Sequence, residues 1–469
     1  MRNYKYTVFT SIIEENIKKG ILKHGDRLPS VRNIKKEYKL SLSSVQSGYD
    51  YLIFKGLVKS NPRSGYLVDV KIAKREAQNL SNLDTLPKNA VFREHVMLTS
   101  HRKNYEDIVS LNAAVPSDLL IPQKLILRTM QQTIREKGAA LLRYYPTNGS
   151  LELRKKLSQR SAQHGALVDD EEIIITDGAL QALYIALAVT TNPQDIVAVE
   201  SPCVFSVLEV IANLHLKVIE IPVTNEDGFD AGFLRNVCTK NEIKAIVVTP
   251  NFHNPTGIMM SDEKKKEIYK IALQHTIPII ENDIYGDLYF NGSRPSTIRN
   301  FDTQGLVLTY ASFSKTIAPG IRLGWLAGGS FFSKAERLKF SLGRSVSPLN
   351  QEVITKLLST STYDRHLRTF RRQLEHQSIL ISNQLNQFFP DNSYTSFPQG
   401  GYSLWTRLPS TLDMKVFYAN CNKFGINFTP GDTFSFTENY DHHFRTVFSQ
   451  HITSSTLDSI KKIGTSLKS

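Results

Sequence analysis

Cysteine is scarce in this chain: there are three in 469 residues, Cys203, Cys238 and Cys421, far apart and with no C-x-x-C pair. This excludes a disulfide framework and offers no zinc-ligand spacing, so a reducing, cytoplasmic setting and no metal site are expected. Long apolar runs are missing too. No stretch reaches the roughly 18 uninterrupted apolar residues of a membrane span, and the first twenty residues interleave charges with apolar side chains, which does not resemble a leader. There are no internal repeats or low-complexity tracts. Acidic residues are in deficit, 44 against 57 Lys and Arg, and the resulting net charge of +13 is unevenly spread. Residues 1–70 alone hold thirteen basic and six acidic side chains. Such a basic end points to a polyanion partner, although a solvated basic surface has the same composition.

What is present suits a folded protein, with 41% apolar and 22% charged residues. The length exceeds what one hydrophobic core organises, so at least two domains of unequal size are expected.

In the first segment Val8, Ile12, Ile13 and Ile17 recur at helical spacing, and Gly20 stands where that helix would end. Pro29 and Ser30 open a second short helix with Val31, Ile34 and Tyr38 inward, and Ser41 caps a third bearing Val45, Tyr49 and Leu52. Gly56-Leu57-Val58 and Tyr66-Leu67-Val68 flank Asn61-Pro62-Arg63-Ser64-Gly65, which reads as two strands around a turn. Three helices and a wing thus fill residues 1–70. Residues 71–106 are polar and weakly periodic, as in a linker.

From 107 to 469 the pattern changes to short β-branched runs alternating with helical stretches: 172–176, 196–200, 245–250, 277–283 and 306–314. That alternation predicts an α/β fold built on a mostly parallel sheet. A long helical stretch over about 351–389 and strands near 402–407 and 444–449 predict a smaller α+β lobe.

In open parallel sheets ligands bind beyond the carboxyl ends of the strands, so the residues ending each run carry the chemistry. The first run ends in Thr176-Asp177-Gly178-Ala179, where a helix start would aim free N–H groups at an anion, or simply turn the chain. Another ends near Asn254-Pro255-Thr256-Gly257, a rigid turn that can fix an amide in a cleft or merely punctuate the chain. A third carries Asp283 at its mouth with Tyr285 two residues on, although a carboxylate there also serves as a helix cap. The fourth, Ser312-Phe313-Ser314-Lys315-Thr316-Ile317-Ala318-Pro319-Gly320-Ile321-Arg322, puts a lysine directly after an apolar strand. Surface lysines rarely end buried strands.

These four stretches, in this order, resemble the fold type I aminotransferase pattern. The resemblance implies pyridoxal 5'-phosphate (PLP) as cofactor, with Lys315 forming the internal aldimine, Asp283 facing the pyridine nitrogen, and Asn254 and Tyr285 on the phenolic oxygen. It also implies a phosphate cup made of the Gly178 and Ala179 amides, Ser312, Ser314 and Arg322. Arg445 corresponds to the family's grip on an amino acid's α-carboxylate. Tyr144 resembles a tyrosine that reaches the neighbouring subunit's phosphate, which implies a homodimer, with Tyr145 as its rival and core packing as the alternative for both. The sequence departs from the pattern at Val204, where an aromatic ring usually stacks on the pyridine; Phe205 follows it.

The amino-terminal module, through Leu28-Pro29-Ser30-Val31-Arg32, Ser41-Leu42-Ser43-Ser44-Val45 and Arg63-Ser64-Gly65-Tyr66, resembles the GntR winged helix-turn-helix. That likeness implies Arg32 and Arg63 on phosphates of a double-stranded DNA operator and Ser43 and Ser44 anchoring the recognition helix. It also puts Gln46 at a base edge, with Gly65 letting the wing approach. Leu42 and Gln46 stand where many relatives carry basic residues. The two halves together are similar to the MocR/GabR group of bacterial regulators. The resemblance implies a sensor of an amino acid, an amine or PLP itself, in a dimer; the length of the linker permits the heads to swap between partners and leaves open whether they do. The alternative is a working aminotransferase with an accessory head, since fold alone does not separate the two.

Overall fold

The computed structural model describes residues 5–19, 21–61, 65–69, 85–91, 109–224, 228–437 and 439–468. Arg63, Gly20 and most of the expected linker lie outside them.

The head consists of helices Thr7–Lys18, Val31–Glu37 and Leu42–Phe54, followed by an antiparallel strand pair, Val58–Asn61 and Gly65–Val68. Ser30 and Ser41 cap the second and third helices through their hydroxyls, accepting from Asn33 N and Ser44 N. Each such cap contributes about 1 kcal/mol. Val45, Tyr49 and Leu52 are fully buried as expected, but the first helix is turned by one position. Val8 and Ile12 are 55% and 45% exposed, whereas Phe9 enters the core beside Ile13, which is buried as expected. The cause is Gly48, where an added Cβ would stand 2.3 Å from the Phe9 ring. The missing side chain makes a socket, and the largest apolar group of the first helix fills it.

The body is a nine-stranded mixed sheet. Strands Lys217–Thr224, Ile196–Ser201, Ile243–Val248, Ile279–Asn282 and Val307–Ser312 run parallel in that spatial order. Gly324–Ala327 then runs antiparallel between Val307–Ser312 and Ile173–Thr176. Two of these strands, Lys217–Thr224 and Gly324–Ala327, escape the sequence reading. Gly324 is required there, because a Cβ would sit 2.7 Å from the Gly178 backbone. Within the stretch read as linker, Lys88–Asn89 pairs with Lys217–Val218 at the sheet edge.

The smaller lobe holds a four-stranded antiparallel sheet around Ser403–Arg407 and His443–Val447, covered by helices Thr362–Phe388, Met414–Lys423 and Ser454–Ser466. The helix expected over 351–389 is two helices, Pro348–Leu358 and Thr362–Phe388. The break falls at Ser359-Thr360-Ser361, where Thr360 Oγ1 accepts from Thr362 N and the hydroxyls compete with the helical hydrogen bonds. The C-terminal half of the head's third helix packs against the Thr362–Phe388 helix, with Asp50 facing His376 and Tyr51 facing Glu375. No helix among the described residues is long and apolar enough to cross a membrane.

Candidate cofactor site and DNA-facing surface

The predicted site residues from four strand ends converge at the carboxyl edge of the parallel strands. Lys315 follows Val307–Ser312 and is half-buried; its Nζ donates to the Ala114 carbonyl at 2.6 Å. Burial, with the charges of Arg445 and Arg322, lowers its pKa to about 8. Around it Tyr402 donates its hydroxyl to the Lys315 carbonyl, and Tyr363 donates to Thr316 Oγ1 at 3.0 Å. His366 Nε2 lies 2.7 Å from the Thr316 carbonyl. The lysine's backbone is therefore pinned on both sides while its amine points to a backbone carbonyl, a contact that a competing partner can replace.

Asp283 ends Ile279–Asn282 and is buried. One carboxylate oxygen accepts from Arg294 Nη2, while Oδ1 is buried without a hydrogen-bond partner. Burial raises this carboxyl and Arg294 opposes the rise. Tyr285, two residues on, is buried against Tyr402 and its hydroxyl is pushed up to about 12 by burial, against the pull of Arg445 and Asn254. It did not follow from the sequence that Asp283 would have a cationic partner. Arg294 sits in an aperiodic polar loop, and no spacing marks it.

Asn254 precedes a cis proline, and its Oδ1 accepts from Arg445 Nη1 at 3.0 Å. Arg445 is 1% exposed; Nη2 donates to the Asn112 carbonyl and to Thr429 Oγ1 at 3.0 Å, and Nε is buried without a partner. Phe434 lies under the guanidinium at 5.0 Å and Phe205 at 5.9 Å. Burial brings its pKa down to about 10. Such a group is held ready for an anion. Phe205 therefore belongs to the wall around Arg445, and Val204, the helix cap before it, is half-buried. Asn112 and Ala114, just past the expected linker, are further site groups that the sequence does not announce, because they act through backbone carbonyls.

Gly178 opens the helix Gly178–Thr190 at φ +77°. A Cβ there would meet Arg322 Nη2 at 2.9 Å, so glycine lets the guanidinium lie against the helix start. Arg322 Nη2 donates to the Asp177 carbonyl at 3.1 Å. Ser312 Oγ lies 3.0 Å from Ser314 Oγ, both buried. Uncapped amides of Gly178 and Ala179, two hydroxyls and one guanidinium thus border one region, the donor set a phosphate takes. Tyr144 is not part of it within one chain: it is 75% exposed, with Arg344 over its ring at 5.1 Å. Tyr145 is committed internally, its hydroxyl donating to Glu352 at 2.8 Å.

PLP fits these residues on two observations. The buried carboxylate Asp283 has one oxygen to offer, and a half-buried lysine with a lowered pKa stands with the phosphate donors.

On the head, Arg32 and Ser43 are exposed, and Ser41 Oγ lies 3.0 Å from Ser43 Oγ and 2.8 Å from Ser44 Oγ, tying the start of the third helix together. Gln46 Nε2 donates to Tyr66 Oη at 2.8 Å, so its amide braces the helix against the wing strand. Gly65 adopts φ +84° with open space around it.

Residues 106–460 match the aminotransferase class I and II family, and residues 6–68 match the gntR family of bacterial regulatory proteins. The uncharacterized HTH-type transcriptional regulator YjiR of Escherichia coli is 30% identical over 98% of both chains. NorG, an HTH-type transcriptional regulator of Staphylococcus aureus, is 28% identical over 86% of this chain and 92% of its own. Among solved structures, the kynurenine aminotransferase of Pyrococcus horikoshii, in complex with PMP, aligns at a TM-score of 0.72 and 27% identity. The alignment covers 77% of this chain and 91% of that one. A gntR head joined to an aminotransferase class I and II body, with relatives of the same arrangement along nearly the whole length, places the chain in the MocR/GabR-type family of HTH-type transcriptional regulators.

Proposed function

We propose that this protein is a PLP-dependent transcriptional regulator whose body senses an amino acid, an amine or the cofactor and whose head binds a double-stranded DNA operator. The observation that carries the reading is one chain holding both a basic winged-helix head and a half-buried lysine at about pKa 8 among complementary cofactor groups.

When bound, PLP supplies an electrophilic aldehyde and an electron-withdrawing ring. Lys315 is the amine for the aldehyde, with burial keeping a fraction of it neutral. Asp283 Oδ1 takes the ring nitrogen, Asn254 and Tyr285 the phenolic oxygen, and Gly178, Ala179, Ser312, Ser314 and Arg322 the phosphate. Arg445, with an unpartnered Nε, holds the carboxylate of an effector. Arg32, Ser43, Ser44, Gln46, Arg63 and Gly65 face the operator, with Gln46 reading a base only on release of Tyr66. Tyr144, exposed within one chain, completes a partner's phosphate cup in a homodimer, with heads on a linker long enough to swap.

Signal passes along the helix Thr362–Phe388. Tyr363 and His366 near its start touch Thr316, the neighbour of Lys315, and its middle packs on the recognition helix. A change in the position of Lys315 on cofactor or effector binding thereby biases the head.

The test is to sequence the genomic fragments retained by the purified PLP-bound protein and by its Arg32→Ala variant. Enrichment of a few intergenic regions, lost in the variant, is expected; no enrichment would refute the regulator. A second reading, an active aminotransferase, is favoured by the same set of Lys315, Asp283, Tyr285, Asn254, Arg322 and Arg445. It predicts multiple turnovers of an amino donor in the unsubstituted protein.

A further inference from the structure

Asp283 is the inner end of a buried chain of alternating charges. Arg294 bridges two carboxylates, with Nη2 on Asp283 Oδ2 and Nε on Asp287 Oδ1 at 2.9 Å. Asp287 Oδ2 in turn accepts from Arg160 Nη2 at 3.1 Å and from the Tyr363 hydroxyl at 3.3 Å. Arg160 continues to Asp364 at the surface, 3.0 Å away. Room for the inner pair depends on Gly286: a Cβ there would lie 2.2 Å from Asp283 Oδ1 and 2.6 Å from Arg294 Nη2. Every member but the last is at least half-buried, so a chain broken at one link leaves an unpaired buried charge.

We propose that Arg294 is a positioning residue of the cofactor site: it occupies Asp283 Oδ2, turns Oδ1 alone toward the ring nitrogen, and holds the carboxylate as an anion so that the shared proton resides on the ring. This rests on the reading that the body binds PLP. Left to burial, Asp283 would favour the neutral acid, a tendency that the charge of nearby Asp287 reinforces. Lys265 lies on the same side, held by the Ser296 carbonyl, and the Asn251 amide also favours the charged form. Arg294 is the one cation in contact with the carboxylate among the described residues, and Coulomb attraction falls with distance, so its field acts first on Asp283. A carboxylic acid at this position would leave the ring nitrogen unprotonated and weaken the ring as an electron sink.

The experiment uses the full chain reconstituted with PLP labelled with ¹⁵N in the ring. Against the unsubstituted protein, Arg294→Gln is expected to move the ring resonance toward unprotonated pyridine and to weaken PLP binding about tenfold. Arg294→Lys, a point charge without the two-pronged fork, is expected to restore most of the original resonance. An unchanged resonance in Arg294→Gln overturns the role. If that variant does not fold, the ring resonance of the unsubstituted protein carries the test: that of a protonated pyridine supports the role, and that of an unprotonated pyridine overturns it. Failure of the unsubstituted protein to take up PLP would instead overturn the reading on which this inference rests.

Discussion

Lys315 Nζ donates to the Ala114 carbonyl at 2.6 Å, which leaves its amine tethered to the first segment of the body rather than to an acid. Among the described residues no carboxylate compensates its charge there, and burial beside Arg445 and Arg322 lowers its pKa to about 8.

Capture of free PLP by the apoprotein should therefore rise with pH through about 8, and Lys315→Ala should abolish any borohydride-reducible adduct. Linkage gives the same window in stability. The native lysine loses its proton near 8 and the unfolded one near 10.5, so the unfolded state binds more protons between those values. The apoprotein should gain stability as pH rises through that window, and Lys315→Met should flatten the gain in denaturant titrations.

Arg445→Gln should weaken a carboxylate-bearing effector by about tenfold or more, the worth of a charge-assisted hydrogen bond. Cofactor absorbance should be retained, since Lys315, Asp283, Ser312 and Ser314 make none of their hydrogen bonds to Arg445. Calorimetry with amino acids and the matching decarboxylated amines separates the two groups; equal losses for both would refute the carboxylate role.

Val204→Tyr restores an aromatic ring where the sequence lacks one, and stacking contributes about 1 kcal/mol. PLP should bind roughly fivefold more tightly to the variant, by fluorescence titration. Weaker binding would show that Phe205 and Phe434 leave no room for the ring.

Arg32→Ala should lower DNA affinity uniformly across sequences and reduce the slope of log K against log salt by about one charge. Filter binding at several salt concentrations reads this directly; an unchanged slope would place Arg32 off the phosphates.

Much of this protein is determined locally. Ser30 and Ser41 each cap a helix through their own hydroxyls, the β-branched runs form buried parallel strands, and Lys315, Asp283, Asn254, Gly178 and Arg322 stand at strand or helix ends that their own neighbours set. A short-range pattern is sufficient for these because hydrogen bonding and side-chain period act over a few residues. Tertiary packing decided the rest. Gly48 makes the socket that turned the first helix onto Phe9, and the wall of Phe205 and Phe434 around Arg445 joins segments more than two hundred residues apart. The Arg294 bridge depends on Gly286 leaving space beside Asp283, and the Ala114 carbonyl reaches Lys315 from the far end of the body. Such contacts leave no periodic trace, because a buried charge or socket is defined by what closes over it, and the closing group can come from anywhere in the chain.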